Sequence, residues 1–168
     1  MKNFLCIFLG VLLALNLSAC SSTSQHVHSP VNFYYKTDSI KYDTPQGVIT
    51  VEVRDAKSHA NDYQYLLEQY LNGPRITGRI SPFPAGTTLK EFNLNETSAQ
   101  VVLSPHLTML SDSELMIACV CLARTLFDLT GVQSVQIGAQ NNHLNGEQYV
   151  TITTDNFSLW NDDITSVN

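Results

Sequence analysis

The chain has 168 residues, 43% of them apolar and 14% charged, with a formal net charge of −6. That length suits one ordinary domain, and the apolar share suits a packed core rather than wholesale disorder. The acidic balance argues against nucleic acid as a partner, because phosphate contacts need clustered Lys and Arg; it argues equally against a polybasic membrane patch.

The N-terminus carries an address. Lys2 is followed by an apolar run from Phe4 to Leu17, FLCIFLGVLLALNL. A helix of that length spans about 21 Å, short of the roughly 30 Å hydrocarbon core. The run therefore reads as the core of a signal peptide over residues 1–19, not as a spanning helix. It ends in Leu17-Ser18-Ala19-Cys20, which resembles the bacterial lipobox, small residues before an obligatory cysteine. The resemblance implies cleavage before Cys20, a diacylglycerol on the Cys20 thiol and further acylation such as palmitate. Two acyl chains anchor stably where one binds marginally. The expected location is the extracytoplasmic face of the cell membrane. Loss of Lys2 with the leader takes the mature chain to −7, eight Lys and Arg against fifteen Asp and Glu.

Residues 20–30 read as a flexible tether, since Ser21 to Pro30, SSTSQHVHSP, is small, polar and without period. His26 and His28 lack a third ligand nearby, so neither a metal nor another cofactor is expected. Cys6 leaves with the leader, which leaves Cys119 and Cys121 in the domain. Two residues apart on a helix they point about 200° away from each other and cannot readily bridge. They read as small apolar packing residues.

The domain, residues 31–157, alternates strands and helices. Val31 to Lys36 is aromatic and reads as a strand. After the turn Thr44-Pro45-Gln46-Gly47, Val48 to Arg54 alternates; Ile49, Val51 and Val53 form its drier face. Asn61 to Asn72 is the first helix, with Tyr63, Leu66, Leu67, Tyr70 and Leu71 in one stripe. Ser58 or Asn61 can cap it, Gly73 suits the left-handed position after it, and Pro74 blocks continuation. Residues 75–87, with Pro82, Pro84 and Gly86, form an irregular ordered loop. Leu89–Leu94 and Gln100–Leu103 are predicted to form a hairpin around Asn95-Glu96-Thr97-Ser98.

Ser111 with Glu114 is a capping box for the second helix, and Gly131 stops it. Leu115, Cys119, Leu122, Leu126 and Leu129 share a face, with Ala118 and Ala123 allowing close approach, so this helix is expected at the centre of the core. Val132 to Ile137 is a strand, Gln140 to Gly146 a polar turn region and Gln148 to Thr153 the last strand. The tail, residues 158–168, is acidic and contains Trp160. The order β-β-α-β-β-α-β-β predicts an α+β fold, a mixed sheet with two helices packed on one face.

Leu67 to Gly73-Pro74, then Pro84-Ala85-Gly86-Thr87-Thr88-Leu89, then Ala99 to Ser104, then Thr125-Leu126, Gly131-Val132, Val135 and Ile137 together resemble the GerMN family, the sporulation and spore germination module of bacterial lipoproteins. The resemblance covers about Val31 to Thr153. It departs at Val102, where the family often has Asp, in the Gln140–Gly146 insertion, and in carrying one copy of the module. It implies a non-enzymatic domain similar to the ring-building α/β modules of sporulation channels and secretion systems.

The residues agree on the negative point. No G-x-S-x-G, S-x-x-K, H-E-x-x-H or glycine-rich phosphate loop is present. Ser104 and His106 are sequence neighbours without an indicated acid, and His106 reads as a surface loop residue. Asp112 and Glu114 suit a helix N-terminus.

The expected function is a lipid-anchored envelope domain that binds protein partners, in sporulation, germination or envelope assembly, with self-association left open. The expected contact is the sheet edge or the loop from Arg75 to Leu89, through Arg75, Pro82, Phe83, Pro84, Gly86 and Thr87. Two alternatives stand beside it. One is a module for a small envelope ligand, such as a cell-wall fragment, bound through exposed Tyr34, Tyr35 and Tyr42. The other is a cell-wall hydrolase without a recognisable motif, for which no pair of carboxylates flanked by aromatics is found.

Overall fold

The computed structural model describes residues 29–38 and 47–155. The leader, Cys20, the tether up to His28, Tyr42, most of the Thr44–Gly47 turn, and the tail with Trp160 lie outside the described residues. Strands β1 (Pro30–Thr37) and β2 (Ile49–Asp55) lead through a short 3-10 turn to helix α1 (Tyr63–Leu71). Then come β3 (Arg79–Ile80), β4 (Leu89–Leu94) and β5 (Ser98–Leu103). A second 3-10 turn precedes helix α2 (Asp112–Thr130), followed by β6 (Ser134–Ala139) and β7 (Val150–Thr153).

The expected α+β class and both helices are present. The strands divide into two sheets, ordered β2-β1-β3 and β4-β5-β6-β7. β3 is the addition to the expected order. Its two residues pair with Lys36 and Thr37, and a strand that short has no period to detect in sequence. β5 and β6 run parallel and the other pairs are antiparallel. A parallel pair needs a crossover, and α2 is that crossover. α2 packs against β1 of one sheet and β6 and β7 of the other, so a single core joins them.

Local chemistry explains most boundaries. The Ser111 N–H donates to the Glu114 carboxylate at 3.1 Å, and Gly131 closes α2 at φ +73° with its N–H on the Phe127 carbonyl. Leu115, Cys119, Leu122 and Leu126 are buried, as are Ala118 and Ala123. The cap of α1 is Asp62, not Ser58 or Asn61, its carboxylate accepting the Tyr65 N–H at 3.1 Å. Asn95 Oδ1 accepts the N–H groups of Thr97 and Ser98 at 3.1 and 2.8 Å, which sets the β4–β5 turn. In the 140–148 loop Asn145 and Gly146 both have positive φ, 51° and 85°, between the mutually bonded Leu144 and Glu147. This is a two-residue hairpin turn, and buried Leu144 pins it to the core.

Candidate functional site

The polarity of β2 is the reverse of the expectation. Val51 is 38% and Val53 50% exposed, whereas Glu52 is 1% and Arg54 8% exposed. Phe33 lies opposite Glu52 in the register, and α1 covers the face they share. The Tyr70 ring of α1 sits 5.0 Å from Tyr35 and 5.6 Å from Phe33. The polar pair lies beneath that aromatic cluster. Arg54 Nε donates to Glu52 Oε1 at 2.6 Å. Its Nη1 donates to the Gln69 carbonyl at 3.0 Å, and Nη2 to the Tyr35 hydroxyl at 2.9 Å and the Gly73 carbonyl at 2.7 Å. Glu52 Oε2 accepts the N–H groups of Arg75 and Ile76 at 3.1 and 3.3 Å.

The pair therefore clamps the C-terminus of α1 and the turn after it. Carbonyls at a helix end lack intrahelical donors, and a guanidinium supplies them. The charges are tolerated inside because they meet each other and nearby backbone groups. A sequence signal for this existed: opposite charges two residues apart on β2, facing Phe33 and Tyr35 two apart on β1.

The inversion leaves an apolar surface on an edge strand. β2 has no strand on its far side among the described residues. Val51 and Val53 are exposed on it and Ile80 is exposed on β3. Arg79 donates Nε and Nη2 to the Val51 carbonyl at 3.1 and 2.8 Å.

The opposite edge is closed. β3 reaches only Lys36 and Thr37, and both helices cover what remains of β1. The Tyr34 N–H donates to Thr125 Oγ1 at 3.0 Å, and the Tyr34 carbonyl accepts the Tyr70 hydroxyl at 2.7 Å. Unpaired strand edges invite pairing with other chains; among the described residues this fold blocks one and leaves the other without a neighbouring strand, only its Val51 carbonyl being taken, by Arg79.

The residues expected to contact a partner separate into two groups. Pro82, Phe83 and Thr87 are buried, Pro84 is half-buried, and Arg75 and Gly86 are exposed. Phe83 meets Tyr70 edge-on at 5.7 Å, and the Thr87 hydroxyl donates to the Pro84 carbonyl at 2.7 Å. Much of this loop thus anchors the fold. Tyr34 and Tyr35, expected to be exposed, are 9% and 0% exposed. Adjacent residues on a strand face opposite ways, and here both faces of β1 are covered. Tyr35 lies under α1; the Tyr34 hydroxyl donates to Asp128 of α2 at 2.7 Å. Burial pushes both phenols above their ordinary value.

Ser104 and His106, read as unrelated, are joined: Ser104 Oγ and His106 Nδ1 are 2.9 Å apart. Ser104 is buried and its Oγ also accepts the Thr88 N–H at 3.0 Å. His106 is half-buried rather than a plain surface residue. The pair ties the start of β4 to the end of β5, and no carboxylate among the described residues orients the imidazole. Cys119 and Cys121 are free and buried, and burial pushes both thiols up to about 12. Among the described residues no group of three or more His, Cys, Asp or Glu could hold a metal ion, and no helix is long and apolar enough to cross a membrane.

A family model described as sporulation and spore germination, Germane, matches residues 32–145. The first GerMN domain of the sporulation protein GerM from Bacillus subtilis superposes with a TM-score of 0.57 at 14% identity, covering 75% of this chain and 98% of that one. The tandem GerMN domains of the same protein give a TM-score of 0.53 at 16% identity, covering 74% of this chain and 45% of that one. The chain thus spans less than half the length of the tandem form. No curated protein matches it. With most of the domain matched by the family model and the same fold in both superpositions, the chain belongs to the sporulation and spore germination family, Germane, and is a GerMN-domain protein.

Proposed function

We propose that this protein is a lipid-anchored module of the cell envelope that binds a protein partner along the free edge and valine face of β2. It acts by binding and carries out no hydrolysis of cell-wall, ester, peptide or phosphate substrates. Sporulation, germination or envelope assembly is its setting.

The observation that carries the reading is Val51 and Val53 turned outward on an edge strand. An extended segment of a partner can pair with such an edge, main-chain bonds supplying affinity and side chains specificity. Anchoring through Cys20 and a short tether would raise the effective concentration for neighbours in the same membrane, so a weak contact would suffice.

The test has two arms. Val53→Lys places a charge on the edge, a device that discourages strand pairing. Crosslinking in the native envelope should capture a protein with the wild type and lose it with Val53→Lys at unchanged melting temperature. An identical crosslinking pattern in both would remove β2 as the contact. Separately, Cys20→Ala should abolish metabolic labelling by a fatty acid; equal label would remove the anchor.

A further inference from the structure

We propose that a small cavity beside the Glu52–Arg54 clamp is a phosphate-binding site. It encloses about 170 Å³ between β2, the 3-10 turn and α1. Arg54, Lys57, His59 and Arg75 line it, with Asp55 as the only carboxylate in the lining. The chain has nine Lys and Arg residues in all, so three of them converge on one cavity of an acidic protein.

The carboxylates nearby are occupied. Asp55 Oδ1 accepts the N–H groups of Ser29 and Lys57 at 3.3 and 2.9 Å. Glu52 faces the clamp, bound to Arg54 and to the turn at Arg75 and Ile76. Arg54 uses four of its five N–H donors on Glu52, Gln69, Tyr35 and Gly73. The fifth, on Nη1, has no partner among the described residues, and a guanidinium is well suited to phosphate oxygens. The His59 ring is stacked on Tyr65 at 4.0 Å, which holds it at the rim, and its Nδ1 lies 3.6 Å from Asp62 Oδ2, so the site's positive charge rests on Arg54, Lys57 and Arg75. Lys57 and Arg75 bring positive charge without a carboxylate partner among the described residues; Arg75 Nη2 is bonded only to the Gln69 amide oxygen at 2.9 Å.

The position of the cavity suggests where the phosphate comes from. The chain enters the domain at Ser29, whose carbonyl accepts the Ala56 N–H at 2.9 Å at the cavity wall. Residues 20–28 extend to at most about 30 Å. On the anchored reading above, which this argument borrows only for the source of the ligand, the cavity stays within reach of lipid headgroups. A phosphodiester headgroup and free phosphate share the recognised chemistry.

The full chain in dodecyl maltoside micelles is titrated calorimetrically with inorganic phosphate and, separately, with glycerophosphoglycerol, a soluble headgroup. Saturable binding is expected, on the order of millimolar. Each exposed cation contributes as an exposed ion pair does, so Lys57→Gln and Arg75→Gln should each weaken binding about two- to fivefold, and the double variant about tenfold, at unchanged melting temperature. Tighter binding of the diester assigns a headgroup source; tighter binding of inorganic phosphate assigns a soluble one, and both support the site. No saturable binding of either probe, or equal binding by the double variant, overturns it. Neither probe needs the lipid on Cys20, so the site can fail while the anchor stands, and the reverse.

Discussion

Arg54 and Glu52 form an ion pair at 2.6 Å inside the domain, with side chains only 7% and 1% exposed. Removing one partner leaves the other charge buried alone. Glu52→Leu or Arg54→Leu should each cost about 3–5 kcal/mol. The double variant Glu52→Leu/Arg54→Leu should cost less than the sum, because no stranded charge remains. Urea denaturation of the four proteins measures this. Additive losses would show that the two side chains act separately.

Tyr70 closes an edge as well as filling the core. Its hydroxyl donates to the Tyr34 carbonyl at 2.7 Å. Tyr70→Phe keeps the ring against Tyr35 and Phe83 and removes that donor, so it should cost about 1–3 kcal/mol. Thr125→Val, which removes the acceptor for the Tyr34 N–H, should cost a similar amount and speed hydrogen exchange at that amide. Unchanged exchange would show that water or another group replaces the hydroxyl.

Leu122 is fully buried midway along α2. Leu122→Ala should cost about 2–5 kcal/mol through lost contacts and the cavity left behind. Leu122→Asp should prevent folding, since typical stabilities are only about 5–15 kcal/mol and an unpaired carboxylate would enter an apolar core. A thermal melt decides both, and a melting point equal to wild type for Leu122→Asp would place that face in solvent.

The thiols make the fold sensitive to alkali. Burial raises Cys119 and Cys121 from an ordinary 9.0 to about 12. The folded state therefore holds these protons more tightly than the unfolded chain. Their contribution is fully present below about pH 9 and is lost as pH rises toward 12. Tyr35 and Tyr70, raised by burial in the same sense, add to the loss. Stability should fall steeply above pH 9, and less steeply in Cys119→Ala/Cys121→Ala. At pH 8 a thiol reagent should label neither residue until the domain is unfolded; rapid labelling of the native protein would contradict their burial.

The capping box of Glu114 shows where local chemistry suffices. Its carboxyl is held below the ordinary value by hydrogen bonds from the Ser111 hydroxyl and N–H, all within four residues. The same is true of Gly131 at the end of α2, of Gly73 after α1 and of the Asn95 turn. The stripes Leu66–Leu67–Tyr70 and Leu115–Cys119–Leu122–Leu126 also follow from spacing alone, because a helix repeats within one segment. These features made both helices, the hairpin, the α+β class and the family resemblance legible.

What the sequence left open was decided by contacts between distant segments. Alternation along β2 defines two faces but not which one turns inward. Here α1 lays its C-terminal carbonyls over Glu52 and Arg54, so the charged face is buried and Val51 and Val53 are left outside. Tyr34 and Tyr35 are both interior because helices cover both sides of β1. The division into two sheets follows from which strands meet, a matter of pairings far apart in the chain. The sequence by itself determined both helices and every strand but β3; the packing of α1 and α2 around β1 determined which edge is closed, which has no neighbouring strand among the described residues, and where the cations converge.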